Sequence, residues 1–288
     1  MRLGIPYKDV TGKYEFNTRF EFARRNSYSI GDWAIVSGIF EVLKQDNPNI
    51  TFNIPSPAYF KQTKAPSNYQ KWGLKNHDAA GYIDLIYQNN PNVFTTNGFY
   101  NQPLTDHFRA QANVEIPLAE KILLRLGYSP DELKYRDCTP KLYLTKEEID
   151  NVKKITGGVK YGCLMFGSRL ENLKGRWEFD NHLFEAAKKY SNYPIFYYSE
   201  FPLEGTNWGE LFQNKTNIEN LSLREQLTLK YLADFNLGYH AGINDAILGN
   251  GKDNTILTPY TNWRETHIRN TRYIFPNGET KFLDYDIT

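Results

Sequence analysis

The stretch that decides the fold lies near the amino terminus and reads Arg24-Arg25-Asn26-Ser27-Tyr28-Ser29-Ile30-Gly31-Asp32-Trp33. Apolar residues then recur at helical spacing as far as Leu43, so the sequence predicts an amphipathic helix that begins near Gly31. A short alternating run around Phe20 and Phe22 predicts a strand before the loop, and Ile50–Ile54 predicts a strand after the helix. In open α/β sheets ligands bind at the carboxyl ends of the strands, so this polar loop is a candidate site.

Asp32 is the candidate functional residue of that loop. It falls in the first turn of the predicted helix, where free backbone N–H groups and the helix dipole stabilise a carboxylate. Two interpretations remain open from the residues alone, because a carboxylate at this position either caps the helix or takes part in chemistry.

The composition is that of a globular protein. Its 288 residues and 33.6 kDa fit one large or two ordinary domains, with 40% hydrophobic residues for a core. A net charge of +1 gives no general reason to expect binding to nucleic acid or to anionic membranes. The two cysteines, Cys138 and Cys163, predict neither a disulfide framework nor a cysteine-rich metal site. No signal-peptide core and no run of about 18 apolar residues is found, so we expect a cytoplasmic protein without a transmembrane segment.

Strands and helices alternate in both halves of the chain. Capping boxes at Thr145 and Ser222 each predict the start of a helix, and Ile83–Tyr87 is a short strand candidate. Thr156-Gly157-Gly158 breaks the pattern. We therefore predict two Rossmann-like α/β domains, residues 1–155 and 156–288, that face each other across a cleft.

Two loops of the second half are candidates for binding an anionic ligand. The first runs from Gly167 to Trp177 and carries Arg169, Lys174 and Arg176, cations that suit a diphosphate, although a solvated surface loop is the alternative. The second runs from Gly238 to Asp245, where small residues allow close backbone approach and a helix starting near Gly242 would offer N–H donors. A structural turn is its alternative. Neither loop is a Walker A motif or a G-x-G-x-x-G fingerprint.

One short pattern in the sequence could indicate a metal site, the triplet Asp284-Tyr285-Asp286 close to the carboxyl terminus. The triplet stands outside any predicted strand–loop context, and the five histidines form neither an H-x-x-x-H nor an H-E-x-x-H pair. We interpret the triplet as a solvated tail and predict no metal site.

Taken together, these segments resemble the ADP-heptose:lipopolysaccharide heptosyltransferase family. Ser29-Ile30-Gly31-Asp32, followed by a helix and by Asn47-Pro48-Asn49-Ile50-Thr51-Phe52, looks like the opening of that family. The loop from Gly167 to Trp177 resembles its basic post-linker loop, and the segment from Gly238 to Asp245 resembles its late Gly-x-Asp-Ser-Gly-x-x-His motif.

The resemblance implies a GT-B glycosyltransferase with two Rossmann-like domains that transfers a hexosyl or heptosyl group with inversion and without a metal. Asp32 would be the general base. The acceptor would be a hydroxyl group on a glycan, a lipid-linked or another molecule. It would be bound by Asn26, Ser27, Ser29 and Gly31. The donor, a nucleotide-diphosphate sugar, would be the substrate, with no separate cofactor. It would meet Ser168, Arg169, Lys174, Arg176, His240, Ala241, Gly242, Ile243 and Asn244.

The sequence departs from the family pattern at several positions of these motifs. Gly175 stands where the family has the Lys of Lys-x-Trp, and His240, Ala241 and Asp245 stand where it has Asp, Ser and His. Three alternatives therefore stay open: a non-catalytic nucleotide- or carbohydrate-binding protein, a sugar-nucleotide epimerase or hydrolase, and a DNA-base glycosyltransferase. The last keeps nucleic acid open as a partner.

Overall fold

The computed structural model describes residues 19–21, 30–46, 48–55, 84–96, 118–125, 128–166, 177–199, 203–240, 242–245, 252–258, 271–275 and 278–283. Within these ranges, strands form two sheets whose neighbouring strands are parallel with one exception, and helices connect many of them. The predicted α/β class is confirmed. No helix in the described ranges is long and apolar enough to cross a membrane.

The first sheet belongs to what we call the first unit. It contains β1 (Arg19–Glu21), β2 (Thr51–Pro55) and β3 (Val93–Thr96), parallel and in that order. Helix α1 (Ile30–Asp46) follows β1 and precedes β2, which confirms the predicted order of strand, helix and strand and the predicted helix start to within one residue. The predicted loop between β1 and α1 lies outside the described residues.

The predicted strand at Ile83–Tyr87 is wrong, because residues 84–87 form a single helical turn. Ile86 and Tyr87 are both buried in the core that contains α1, whereas consecutive strand residues point to opposite faces. The Tyr87 hydroxyl donates a hydrogen bond to the carbonyl oxygen of Trp33 at 2.8 Å, so tertiary contacts with α1 decide the local conformation.

Three helices of the described ranges lie between the first sheet and the second along the chain: α2 (Leu118–Arg125), α3 (Pro130–Leu133) and α4 (Lys146–Thr156). Residues 134–145, which we call the linker, join α3 to α4. The capping box predicted at Thr145 is present and begins α4, and Gly157 ends it in a left-handed conformation with a φ of 67°. Helix α4 packs against a helix of the second unit, and the boundary between residues 155 and 156 stays a prediction.

The second sheet and its helices form the second unit. Its elements are β4 (Gly162–Met165), α5 (Trp177–Ala187), β5 (Ile195–Tyr198), α6 (Asn207–Leu211), β6 (Lys215–Asn217), α7 (Leu223–Leu232), β7 (Phe235–Tyr239), α8 (Gly242–Asp245), β8 (Asp253–Leu257), β9 (Thr271–Ile274) and β10 (Thr280–Leu283). The capping box predicted at Ser222 is present at the start of α7.

The order of strands in the second sheet contains a change of direction. The sheet runs β10-β9-β8-β7-β4-β5-β6, and only β10 is antiparallel to its neighbour. The chain starts in the middle at β4, builds outward through β5 and β6, and then crosses to the other side of β4 to add β7, β8 and β9. This is the order of a doubly wound sheet, with its topological switch point between β4 and β7.

Helix α1 lies in the main apolar core of the molecule. All its described side chains from Trp33 to Phe40 are buried, and partial or full exposure begins only at Glu41. The same core includes Ile256, Tyr273 and Phe275 of the second unit, together with Leu227 of α7. The two units therefore share one continuous core in which α1 is the central helix.

Candidate functional site

The switch point of the second sheet brings the two predicted donor loops to one edge. Strands β4 and β7 are parallel neighbours with Met165 opposite Gly238, so the segments that follow them start side by side. Ligands of open α/β sheets bind at this place, outside the carboxyl ends of the strands that flank the switch point. Of the predicted donor residues, Ser168, Arg169, Lys174, Arg176 and Ala241 lie outside the described residues.

Gly238 permits an unusually close approach of the β4 backbone and the Asn244 side chain to the β7 backbone at this edge. A Cβ atom built on Gly238 would lie 2.4 Å from the carbonyl oxygen of Met165 and 2.6 Å from Nδ2 of Asn244. Both distances are far below ordinary van der Waals contact. Any larger residue would therefore separate β4 from β7 or expel the Asn244 side chain.

Asn244 shapes the turn between β7 and α8. Its side chain is fully buried, and its Nδ2 donates to the carbonyl oxygen of Tyr239. Its Oδ1 has no hydrogen-bond partner among the described residues, which leaves a buried acceptor at the switch point. Because α8 has only four residues, it supplies N–H donors but only a small dipole.

The remaining predicted donor residues lie along the same turn. The backbone N–H of His240 donates to the carbonyl oxygen of Leu257 at 2.8 Å, which extends the pairing of β7 with β8 by one residue. Its side chain and Gly242 are half-buried. Ile243 is in α8, and its side chain lies outside the described part of the structure.

Sequence reasoning missed an aromatic cluster beneath the switch point. The ring of Phe166, the residue after β4, lies 4.8 Å from the ring of Trp208 and 5.2 Å from that of Tyr239. All three residues are buried. The apolar run that ends at Phe166 indicated a buried strand. Because Trp208 is far from Phe166 in the sequence, no local pattern indicated that their rings are in contact. The cluster gives the carboxyl edge of β4 and β7 an apolar, rigid support.

Helix α1, which contains Asp32, contacts the turn that carries several of the predicted donor residues. Asp32 lies in the first turn of α1 as expected, and Gly31 is buried. Helix α1 contacts α8, which begins at Gly242 beside the switch point. Asn26, Ser27 and Ser29 lie outside the described residues, as does the side chain of Asp32.

The linker lies along α1 and fixes it. A Cβ atom on Gly38 would lie 2.1 Å from the carbonyl oxygen of Cys138, so the linker backbone rests directly on the helix at this glycine. Near it, the backbone N–H of Lys141 donates to Ser37 Oγ at 3.2 Å. These contacts join the linker to the helix at two adjacent residues of α1.

Tyr143 continues the same contact toward the carboxyl end of α1. Its hydroxyl donates to Glu41 Oε1 at 2.8 Å and accepts from Lys44 Nζ at 2.5 Å. Burial, and then the hydrogen bond to the Glu41 carboxylate, raise the pKa of Tyr143 far above its ordinary value. The phenol stays protonated and keeps donating to α1 throughout the physiological pH range.

Two further polar clusters lie away from the switch point and have structural roles. At the amino end of β8, Asp253 accepts from Lys189 Nζ at 2.7 Å, from the Tyr190 hydroxyl and from Arg272 Nη1 at 3.0 Å. On α7, Lys230 is fully buried, and burial lowers its pKa to about 8, while burial raises the pKa of Cys163 to about 12.

In the part of the chain that the structure describes, His, Cys, Asp and Glu side chains form no group of three that could hold a metal ion. The triplet Asp284-Tyr285-Asp286 lies outside that part.

Comparison with known proteins gives matches in structure only. No family model and no curated protein sequence matches the chain. A glycosyl transferase family 9 protein from Veillonella parvula DSM 2008 is 11% identical, with a TM-score of 0.49 over 90% of this chain and 85% of that chain. E. coli heptosyltransferase WaaC with ADP is 12% identical, with a TM-score of 0.47 over 91% of this chain and 94% of that chain.

A third similar structure is E. coli ADP-heptose lps heptosyltransferase II. It is 10% identical, with a TM-score of 0.46 over 90% of this chain and 93% of that chain.

Proposed function

We propose that the protein is a metal-independent, inverting GT-B glycosyltransferase that moves a sugar from a nucleoside-diphosphate donor to an acceptor hydroxyl. The observation that carries the proposal is the contact between α1 and α8. It joins the helix whose first turn contains Asp32 to the turn at the switch point of a doubly wound sheet. This contact supports a single site that combines an acceptor-side carboxylate with a nucleotide-side loop.

The donor is proposed to bind at the switch point. The diphosphate of a nucleotide sugar carries charge that must be met by cations and backbone N–H groups when no metal is used. Arg169, Lys174 and Arg176 in the loop after β4, and the N–H groups from Gly242 onward, are the proposed partners. The Oδ1 of Asn244, which has no hydrogen-bond partner in the part of the chain that the structure describes, adds a polar group at the same turn, as does the half-buried side chain of His240.

Asp32 is proposed to remove the proton from the acceptor hydroxyl as that hydroxyl attacks the sugar. A positioned general base contributes about 10²–10⁴-fold to a rate. A carboxylate in the first turn of a helix is stabilised in its charged form, which makes it a weak base for a resting alcohol. The base is sufficient because the hydroxyl becomes acidic as its bond to the electron-poor anomeric carbon forms. Asn26, Ser27, Ser29 and Gly31 would line the acceptor side.

The proposal is tested by separating nucleotide binding from transfer in Asp32→Asn. Release of the nucleotide (a nucleoside diphosphate, or CMP from the CMP-linked sugar) is measured with ADP-, GDP-, UDP-, CMP- and dTDP-linked sugars against a panel of glycan and lipid-linked acceptors. We expect the variant to bind the nucleotide within about twofold of the parent and to lose at least about 100-fold in transfer.

The matched control is Asp131→Asn, which makes the same chemical change in the first turn of α3 at a side chain that is 88% exposed. It should leave both quantities unchanged. Equal loss of binding and transfer in Asp32→Asn would show that Asp32 is a structural cap. Turnover without an acceptor would identify a hydrolase or epimerase.

A further inference from the structure

Arg224, at the start of α7, connects three segments that are far apart in sequence. Its Nε donates to Glu148 Oε1 at 2.6 Å, and its Nη2 donates to Glu148 Oε2 at 3.2 Å, a two-point contact with one carboxylate. Nη2 also donates to the carbonyl oxygen of Tyr143 at 2.9 Å, and Nη1 donates to the carbonyl oxygen of Leu85. We call these contacts the Arg224 bridge.

The partners of the Arg224 bridge belong to different parts of the molecule. Leu85 lies in the helical turn of the first unit, Tyr143 lies in the linker, and Glu148 lies in the first turn of α4. Arg224 itself belongs to the second unit. Its side chain is 12% exposed and that of Glu148 is 18% exposed, so the charges face each other with little solvent between them. The guanidinium donates four hydrogen bonds to the three segments, whereas a lysine ammonium has only three N–H donors and cannot replace them all.

The Arg224 bridge acts on α1 through Tyr143. The carbonyl oxygen of Tyr143 accepts from Arg224, while its hydroxyl donates to Glu41 of α1. One linker residue thus ties α7 of the second unit to the middle of α1. Leu223 and Leu227, on either side of Arg224 in α7, pack in the core that contains α1, so the polar and apolar contacts hold the same two helices together.

We propose that Arg224 is a positioning residue that sets the angle of α1, and with it the place of Asp32, relative to the switch point. This inference rests on the proposed function, because it assigns Asp32 and the switch point to one reaction. Among the described residues, Arg224 hydrogen-bonds to Leu85, Tyr143 and Glu148, so the proposal has it act through the linker and α1.

A small rotation of α1 around Glu41 would displace Asp32 by a distance that matters for a reaction. Asp32 and Glu41 are nine positions apart in α1, which is about 13.5 Å at 1.5 Å per residue. A tilt of about 4° around Glu41 would therefore move Asp32 by about 1 Å. A displacement of about 1 Å at a reacting group can cost about 100-fold in rate.

The test measures the spacing of the two units directly. Spin labels are placed on the full chain at Phe94→Cys in β3, where the native side chain is 52% exposed, and at Asn192→Cys in an exposed turn of the second unit. The native Cys138 and Cys163 are fully buried and stay unlabelled. Double electron–electron resonance then gives the distance distribution.

The compared variants are Arg224→Gln, Arg224→Lys and the control Arg272→Gln. The control removes an arginine that contacts a carboxylate, Asp253, within the second unit only. We expect a narrow distribution in the parent and the control, and a broadened one in both Arg224 variants. Arg224→Lys keeps the charge and the aliphatic stem, so it is the variant to use if Arg224→Gln does not fold.

Transfer and nucleotide affinity are measured on the same variants without labels. We expect transfer to fall about 10- to 100-fold in both Arg224 variants while the dissociation constant of the nucleoside diphosphate stays within twofold. Superimposable distance distributions, or an unchanged transfer rate in folded Arg224 variants, would overturn the proposal. If the parent binds no nucleotide and transfers no sugar, the proposed function fails, and the distance distributions still decide whether Arg224 sets the spacing of the units.

Discussion

Replacing Gly38 with alanine tests the contact between α1 and the linker, because two opposing effects of known size meet at one residue. Alanine is favoured over glycine in a helix interior by about 1 kcal/mol. Against this, the new Cβ would lie 2.1 Å from the carbonyl oxygen of Cys138, whereas a carbon and a carbonyl oxygen normally rest about 3.3 Å apart. The linker would have to move away by about 1 Å.

The cost of that movement exceeds the helical gain. The obstacle is backbone, and the neighbouring hydrogen bond from Lys141 to Ser37 holds it in place, so we take the upper end of overpacking costs, about 3 kcal/mol. The net effect is about 2 kcal/mol of destabilisation. At about 2–4 °C per kcal/mol for a chain of this size, the Tm falls by about 4–8 °C.

Thermal unfolding of Gly38→Ala beside the parent measures this shift. Lys154→Ala is the control, because Lys154 is exposed on α4, away from α1, and substitutions at such positions change stability by about 0.5 kcal/mol or less. A Tm of Gly38→Ala equal to or above that of the parent would refute the direct contact between the linker and α1.

Three further predictions follow from buried groups. Lys230→Met should raise the free energy of unfolding by up to about 3 kcal/mol at pH 7, because burial lowers the pKa of Lys230 from 10.5 to about 8. Because the pKa of Lys230 is lower in the folded state than in the unfolded state, the free energy of unfolding of the parent rises above pH 8. The gain from Lys230→Met should therefore be about 1 kcal/mol smaller at pH 9 than at pH 7. Denaturant titrations that show the same gain at pH 7 and pH 9 would contradict this. Burial alone would raise the pKa of Glu148, but hydrogen bonds from Arg224 and the Thr145 backbone lower it below 4.5. The contribution of Glu148 to the free energy of unfolding is therefore present above pH 4.5 and is lost as the pH falls further. In acid titrations, Arg224→Gln should lose less free energy of unfolding than the parent. An equal loss would show that the guanidinium does not lower the pKa of Glu148. Gly238→Ala should weaken nucleotide binding by at least about tenfold in calorimetric titrations, because its Cβ would push against Met165; unchanged affinity would place the ligand elsewhere.

The parts of the fold that the sequence predicted correctly are those with local signals. Helix α1 was visible in its apolar spacing, and the helices after Thr145 and Ser222 were visible in capping boxes that the structure contains. Strands β6 and β10 were missed because both are short edge strands, and their pairing with a neighbour, not their composition, makes them strands.

The contacts that organise the candidate site could not be read from local patterns. The Arg224 bridge joins residues that are 139, 81 and 76 positions apart. Only the folded chain reveals that one guanidinium meets all three. The switch point likewise depends on strand order, which alternation of strands and helices does not specify.

The most direct test of the central claim is nucleotide binding by the full chain. Thermal unfolding is followed with ADP, GDP, UDP, CMP and dTDP, with and without EDTA. A ligand at 100 times its dissociation constant stabilises by about 2.7 kcal/mol, which is about 5–10 °C here. We predict that one nucleotide raises the Tm by that amount regardless of EDTA and that Gly238→Ala reduces the rise to about half or less. No rise with any nucleotide would contradict a nucleotide-sugar site at the switch point.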